Sequence, residues 1–405
     1  MSVAQALVAY RKRRGPAVLD TIRAAAGRVP ALDARLREAG LAGGVDDVDA
    51  LDRLPVLSKD ALPALQRENP PLGGLLAADA DVVRLFASPG PIYEPQLAGP
   101  DPWNWAPALT ACGIGSGDVV LNCFSHHLSP AGAMFDEACR AIGAVVVPGG
   151  VGNLEVQAQV VAGLEVTAFI GLPSYLAALV EKYDAAGLPE DGWRLCKALV
   201  TAEPLPDPLR AQLRTRVATV LMAYGTAEAG LIGYETEPGG GLAIPRDTFV
   251  EVCDPTTGHP TGAGEPGEVV VSVLHADFPL VRFGTGDVSR WGLGPDGDPR
   301  LAGVLGRVGA AVKVRGMFVH PHQAREVLVG LAGAGVVGGR FVVGRDGNRD
   351  VLTLQVVLEG GSDPDRVVET ATGLTRETLR VRPEVEIVDS LSEDAALLSD
   401  GRDWS

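Results

Sequence analysis

Positive charge is the first thing this sequence lacks. Lysine and arginine number 35 against 51 aspartates and glutamates, a formal net charge of −16. So acidic a chain has little with which to displace the counterions of a nucleic acid or to dock on an anionic membrane. Long apolar runs are missing too. No stretch of 18 or more apolar residues occurs, so nothing should span a bilayer. At the N-terminus the apolar residues of MSVAQALVAYRKRRG precede the basic ones, the reverse of a secretory signal. Cysteine is scarce and scattered, at positions 112, 123, 139, 196 and 253, with no CxxC pair. The odd count and wide spacing disfavour a disulfide framework and a cysteine-ligated zinc site. They fit reduced, buried thiols in a cytoplasmic protein.

What is present is enough apolar material for a large core. The 405 residues are 46% hydrophobic, which predicts two or three packed domains. Residues 1–70 read as helical, and Ser58 is placed to cap the turn that follows it. From 80 to 290 short apolar runs alternate with helical stretches. Val119–Phe124, Ala144–Pro148, Val166–Gly171, Ala198–Thr201 and Val220–Tyr224 read as strands, the first of them buried. That is the rhythm of a βα sheet covered on both faces. After 245 the pattern turns β-rich, with strands expected near 249–252, 268–272 and 280–283. Beyond 309 a compact α+β segment is expected: strands near 312–315, 340–343, 351–358 and 384–388, and helices near 322–331 and 364–379. The fold class is therefore α/β, with a large domain over 1–308 and a small α+β domain over 309–405.

Several short segments, in order, carry a family likeness. Thr201-Ala202-Glu203-Pro204, Tyr224-Gly225-Thr226-Ala227-Glu228 and Phe283-Gly284-Thr285-Gly286-Asp287 are three of them. Gly306-Arg307, Lys313-Val314-Arg315-Gly316, Pro321 and Gln323 follow downstream, and Gly149–Asn153 and Leu172–Tyr175 lie upstream. Together they resemble the phenylacetate–CoA ligase group of the adenylate-forming enzymes, from about residue 50 to 325. The resemblance implies a two-step chemistry: ATP adenylates a carboxylate, and the acyl group then passes to the thiol of coenzyme A while a small C-terminal domain swings. It implies ATP or AMP held by Glu203, Pro204, Tyr224, Gly225, Thr226, Asp287 and Arg307. It puts Glu228 on Mg²⁺, in keeping with that ion's preference for hard oxygen ligands. It gives an acid pocket walled by Phe124, Ser125, Tyr224 and Gly225, and a CoA side at Lys313 and Arg315. A small-molecule acyl or aryl substrate is the expected partner, and a homodimer and a carrier protein are compatible with it.

The departures from the family pattern fall on groups that handle phosphate. Its loop S-S-G-T-T-G-K-P is here Ser88-Pro89-Gly90-Pro91-Ile92-Tyr93-Glu94-Pro95. The threonines are gone, and two prolines remove backbone donors. The lysine has become Glu94, and a like charge 4 Å from a phosphate costs about 4 kcal/mol at an effective dielectric of 20. The arginine of Y-R-T-G-D is Gly284, and the acidic hinge pair is Gly309-Ala310. The C-terminal lysine has no match, with Arg402 near its place. These losses predict an ATP step weakened or abandoned, with CoA or an acyl thioester still handled. A working ATP-dependent ligase and a non-catalytic scaffold of the same fold are the rivals.

Beside the resemblance stand two adjacent histidines, His126 and His127, just past the Val119–Phe124 strand. Ligand sites in α/β sheets lie at the carboxyl ends of strands, and imidazole titrates near neutral pH. One of the pair is the candidate general acid–base, the alternative being a pair of pocket-lining or solvated rings. Neighbours in extended chain point to opposite faces, so at most one should face inward. No third ligand lies nearby in sequence, so zinc is not expected. His320-Pro321-His322 reads as a helix start, and Trp103 and Trp105 as core or lid.

Overall fold

The computed structural model describes residues 1–88, 91–308, 312–315, 317–319, 321–347, 349–392 and 396–402. Pro89 and Gly90 of the expected phosphate loop, the Gly309-Ala310 pair, Gly316, His320 and residues 403–405 lie outside that description, as do the side chains of Pro321 and His322. The chain divides into two compact units, Met1–Gly306 and Arg307–Ser405.

The first unit opens with the helix Val3–Ala25, started by a capping box in which Ser2 and Gln5 each bond the other's backbone N–H. Tyr10 on its buried face stacks on Phe249 with ring centroids 5.5 Å apart, and its hydroxyl accepts the Val250 amide hydrogen. Ser58 caps as expected, accepting from the amide of Asp60, and so opens the turn Lys59–Ala61.

The centre of this unit is a six-stranded sheet. Its order is Val145–Pro148, Val119–Asn122, Ala168–Gly171, Lys197–Val200, Thr219–Thr226, Gly230–Tyr234. The first five strands are parallel and the last antiparallel. Ala168 and Ile170 face one apolar core while Phe169 faces another, which is why these strands read as continuous apolar runs. A separate antiparallel ribbon, Val82–Ser88 with Ile92–Leu97, holds Glu94 opposite Phe86. Thr248–Cys253, Gly267–Val273 and Phe283–Ser289 form the β-rich part. The strand expected at 280–283 does not form. Arg282 adopts a φ of 50°, and its buried guanidinium reaches the carbonyls of Leu51, Leu54 and Gly258 and the Glu251 carboxylate.

The second unit is a four-stranded sheet ordered Glu384–Ile387, Arg349–Leu358, Val336–Asp346, Leu398–Asp400. The helices Pro321–Leu331 and Pro364–Leu379 pack on it, sharing a core with Phe341, Leu352 and Leu354. The hairpin Val312–Val314/Met317–Val319 belongs to the same unit. Arg315 was expected to alternate with Lys313 on a strand, but it lies past the strand end with a φ of 50°. Among the described residues, no helix is long and apolar enough to cross a membrane.

Candidate active site

Three clusters in the first unit carry the candidate chemistry. The acyl-side cluster grows from the carboxyl end of Val119–Asn122. The Asn122 side-chain amide donates to the Gly132 carbonyl and to Asp136 Oδ1, both at 2.8 Å, while its own oxygen accepts the Phe124 amide hydrogen. Asp136 Oδ2 lies 3.0 Å from His126 Nε2. Gly132 is required here, since a Cβ on it would sit 2.7 Å from the His126 ring. His126 is thus half-buried and oriented, whereas His127 is exposed and only its backbone is engaged, its N–H donating to Ser125 Oγ. Phe124 stacks on Phe135 at 5.0 Å. Asp136 is supplied by the helix Ala131–Ala141.

The adenosine-side cluster, so called by resemblance, sits at the end of Thr219–Thr226. The Tyr224 hydroxyl donates to Asp287 Oδ2 at 2.8 Å and lies 3.2 Å from Thr285 Oγ1. Gly225 has no room for a side chain, because a Cβ would be 2.3 Å from the Gly230 carbonyl. Thr226 Oγ1 accepts the Ala229 amide hydrogen, and this turn sets Glu228. Ser174 Oγ donates to Glu203 Oε2 at 2.5 Å, next to exposed Pro204.

The phosphate-side cluster contains Glu94, Glu228 and Lys59. Glu228 is 5% exposed and Lys59 Nζ lies 2.8 Å from its Oε1, an ion pair by distance though not aligned as a hydrogen bond. Burial, the largest single influence, pushes the Glu228 carboxyl up, but Lys59, together with the Glu228 backbone N–H and Thr226, outweighs it and holds the group below its ordinary value. Glu94 is 2% exposed, and neither of its oxygens accepts a well-formed hydrogen bond. Burial and then the neighbouring Glu228 push it up to about 8, with Ser88 and Lys59 pulling only partly back. The sequence placed Glu94 as a full charge facing a polyphosphate; in the structure it is an interior carboxyl that is mostly protonated at neutral pH. Lys59 was not singled out in the sequence, because nothing local to it signals a partner 169 positions away.

In the second unit, Lys313 lies on the hairpin and Arg315 is fixed to Asp350 through its backbone N–H at 3.2 Å and its Nε at 2.8 Å. Arg402 Nη1 pairs with Asp350 at 3.0 Å and Nη2 with Asp400 at 2.6 Å, leaving its side chain 6% exposed. Arg307 belongs to this unit. Among the described residues, no three of His, Cys, Asp and Glu gather as a metal-ligand group. All five thiols are free, with Cys196 exposed.

The model of the family described as AMP-binding enzyme matches residues 144–273. The phenylacetate-coenzyme A ligase of Pseudomonas putida is 29% identical over 315 residues, which is 74% of this chain and 70% of that protein. The Thermus thermophilus protein of the same name is 28% identical over 347 residues, 81% and 77% of the two chains. Among solved structures, a 2-hydroxyisobutyryl-CoA ligase in complex with 2-HIB-AMP and CoA matches with a TM-score of 0.83. It covers 96% of this chain and 90% of that one at 22% identity. The fold is that of the adenylate-forming CoA ligases, and the matched segments make the chain phenylacetate–CoA ligase-like.

Proposed function

We propose that the chain handles an aryl or acyl group in CoA-ligase-type chemistry, as a small-molecule acid or its CoA or carrier-protein thioester, with ATP-dependent adenylation weakened. The observation that carries this reading is the Lys59–Glu228 pair at 2.8 Å. Glu228 is the carboxylate that the resemblance gives to Mg²⁺, and here its charge is already met by an ammonium. A divalent ion would have to displace that ammonium, and the second carboxyl, Glu94, is held toward its neutral form. This donor set does not fit Mg²⁺, which takes near-octahedral oxygen coordination. Arg402 supports the same reading. At the place of the family's C-terminal lysine it is spent on Asp350 and Asp400, and a guanidinium does not replace a mobile point charge.

On the acyl side His126 is the proton-transfer group. Its Nε2 is turned to Asp136, so Nδ1 is the nitrogen left for substrate. A thiol attacking an activated acyl carbon must lose a proton, and a thiolate leaving a thioester must gain one; Nδ1 takes it in the first case and gives it in the second. Such help is worth about 10²–10⁴ in rate. Phe124, Ser125, Tyr224 and Gly225 wall the acyl group. Glu203, Pro204, Thr226, Asp287 and Arg307 hold the adenosine of ATP or AMP, and Lys313 and Arg315 meet CoA.

A second reading, a working ATP-dependent acid–CoA ligase, is favoured by one observation. Glu94 is buried with its pKa near 8, so it brings little negative charge against a phosphate at neutral pH. Carboxylate-dependent ATP–pyrophosphate exchange over a panel of aryl and acyl acids separates the two. No exchange above background, with calorimetric binding of an acyl-CoA in the absence of ATP, is the expected result. Robust exchange restores the ligase, and failure to bind nucleotide or thioester at all favours the scaffold. His126→Gln should remove turnover while the fold persists, and His127→Gln should do little; equal activity in both variants removes His126 from the mechanism.

A further inference from the structure

The phosphate-side cluster opens into a small recess whose wall is mostly apolar. Trp103, Val273 and Phe278 line it, and three polar side chains reach it: Glu94, Glu228 and His275. Both Glu94 oxygens are buried without a well-formed hydrogen bond. An orphaned buried acceptor costs about 1–3 kcal/mol, and a site that keeps such a cost is one where a partner arrives from outside.

The charge balance says what kind of partner. The charged groups acting on Glu94 are Glu228 and Lys59. Lys59 cancels Glu228, so one carboxyl remains: Glu94, held toward its neutral form while the recess is empty, ionises against a single arriving positive charge. His275 accepts the Asp277 amide hydrogen at Nδ1, 3.2 Å away. In its neutral form the ring proton is therefore on Nε2, which makes that nitrogen a donor rather than a metal ligand. A divalent metal wants about six oxygen ligands, and two carboxyls in an apolar wall do not supply them. An organic ammonium needs one carboxylate for its N–H groups and apolar or aromatic surface for its carbons, with the ring faces adding cation–π attraction.

We propose that this recess binds the ammonium group of a small organic amine, with Glu94 as its counter-ion and Trp103 and Phe278 as its walls. The site lies within the first unit, and its occupant requires neither ATP nor CoA, so the assignment stands whichever way the adenylation question falls.

The test is calorimetric titration of the full chain with methylammonium chloride, methanol, potassium chloride and magnesium chloride, repeated on Glu94→Gln. Methylammonium should bind at least tenfold more tightly than the neutral alcohol, and Glu94→Gln should erase that preference. Equal binding of amine and alcohol, an undiminished preference in Glu94→Gln, or no binding of the amine overturns the proposal. Tighter binding of potassium or magnesium than of the amine overturns it in favour of a metal-ion site. Should Glu94→Gln fail to fold, the amine–alcohol comparison on the unaltered chain decides the matter by itself.

Discussion

The adenosine-side and phosphate-side clusters lie on the same turn of chain, yet they are finished to different standards. Around Tyr224 the polar groups close on one another: the Tyr224 hydroxyl donates a hydrogen bond to Asp287, Thr285 Oγ1 accepts one from the Asp287 amide at 3.1 Å, and Thr285 donates to the Val269 carbonyl. Around Glu228 the books do not balance, because two buried carboxyls share one lysine. A finished network specifies its own geometry, while an unfinished one is costly until something else arrives. Among the residues that resemble the nucleotide motifs, Tyr224, Thr285 and Asp287 also hold the fold together, while Glu94 and Glu228 do not complete each other's bonding.

That contrast can be broken most severely at Lys59. Lys59→Met should leave Glu228 without its cation at 2% side-chain exposure, a loss of about 3–5 kcal/mol by analogy with other broken buried pairs. Urea unfolding reads it, and adding Glu228→Gln should restore most of the loss through their coupling. Glu94→Gln should act in the opposite direction. The folded-state pKa of Glu94 is raised from 4.5 to about 8, so the folded chain holds a proton that the unfolded chain has given up. Its contribution is fully present below pH 4.5 and is lost as pH rises toward 8. Thermal melts from pH 5 to 9 should therefore show the unaltered chain losing stability across that window and the Gln variant losing less, the gap between them widening until the pH passes 8. Smallest is Tyr224→Phe, which deletes one donor to Asp287 and should cost about 1 kcal/mol. A larger loss for Tyr224→Phe than for Lys59→Met would invert the comparison.

Much of the architecture was legible because it is written in local periods. Each strand from Val119 to Tyr224 carries its own apolar run, including the exposed edge strand Val145–Pro148, and the second unit's helix at 364–379 shows its amphipathic spacing unaided. What was not legible depends on partners far along the chain. Leu280-Val281-Arg282-Phe283 looks like strand, but Arg282 turns its guanidinium to carbonyls 231 and 228 positions away, which no window of sequence contains. The choice between His126 and His127 rests on Gly132 leaving space and Asp136 offering an oxygen, both on the next helix. Glu94 read as a full charge facing phosphate because burial of a hairpin residue is decided by what packs over it.

Arg282 also determines how the first unit would come apart if its chain were cut. The turn at Ala42–Gly44 is exposed, an ordinary point for a protease to enter. Yet the segments on either side of it are each fastened to the β-rich part: Tyr10 before the cut through Phe249 and Val250, and Leu51 and Leu54 after it through Arg282. Arg35 adds bonds from before the cut to the carbonyls of Val281 and Pro55, beyond it. A nick there should give two bands under denaturing electrophoresis and one peak on a sizing column, so the first forty residues could be supplied as a separate fragment and still complement the remainder.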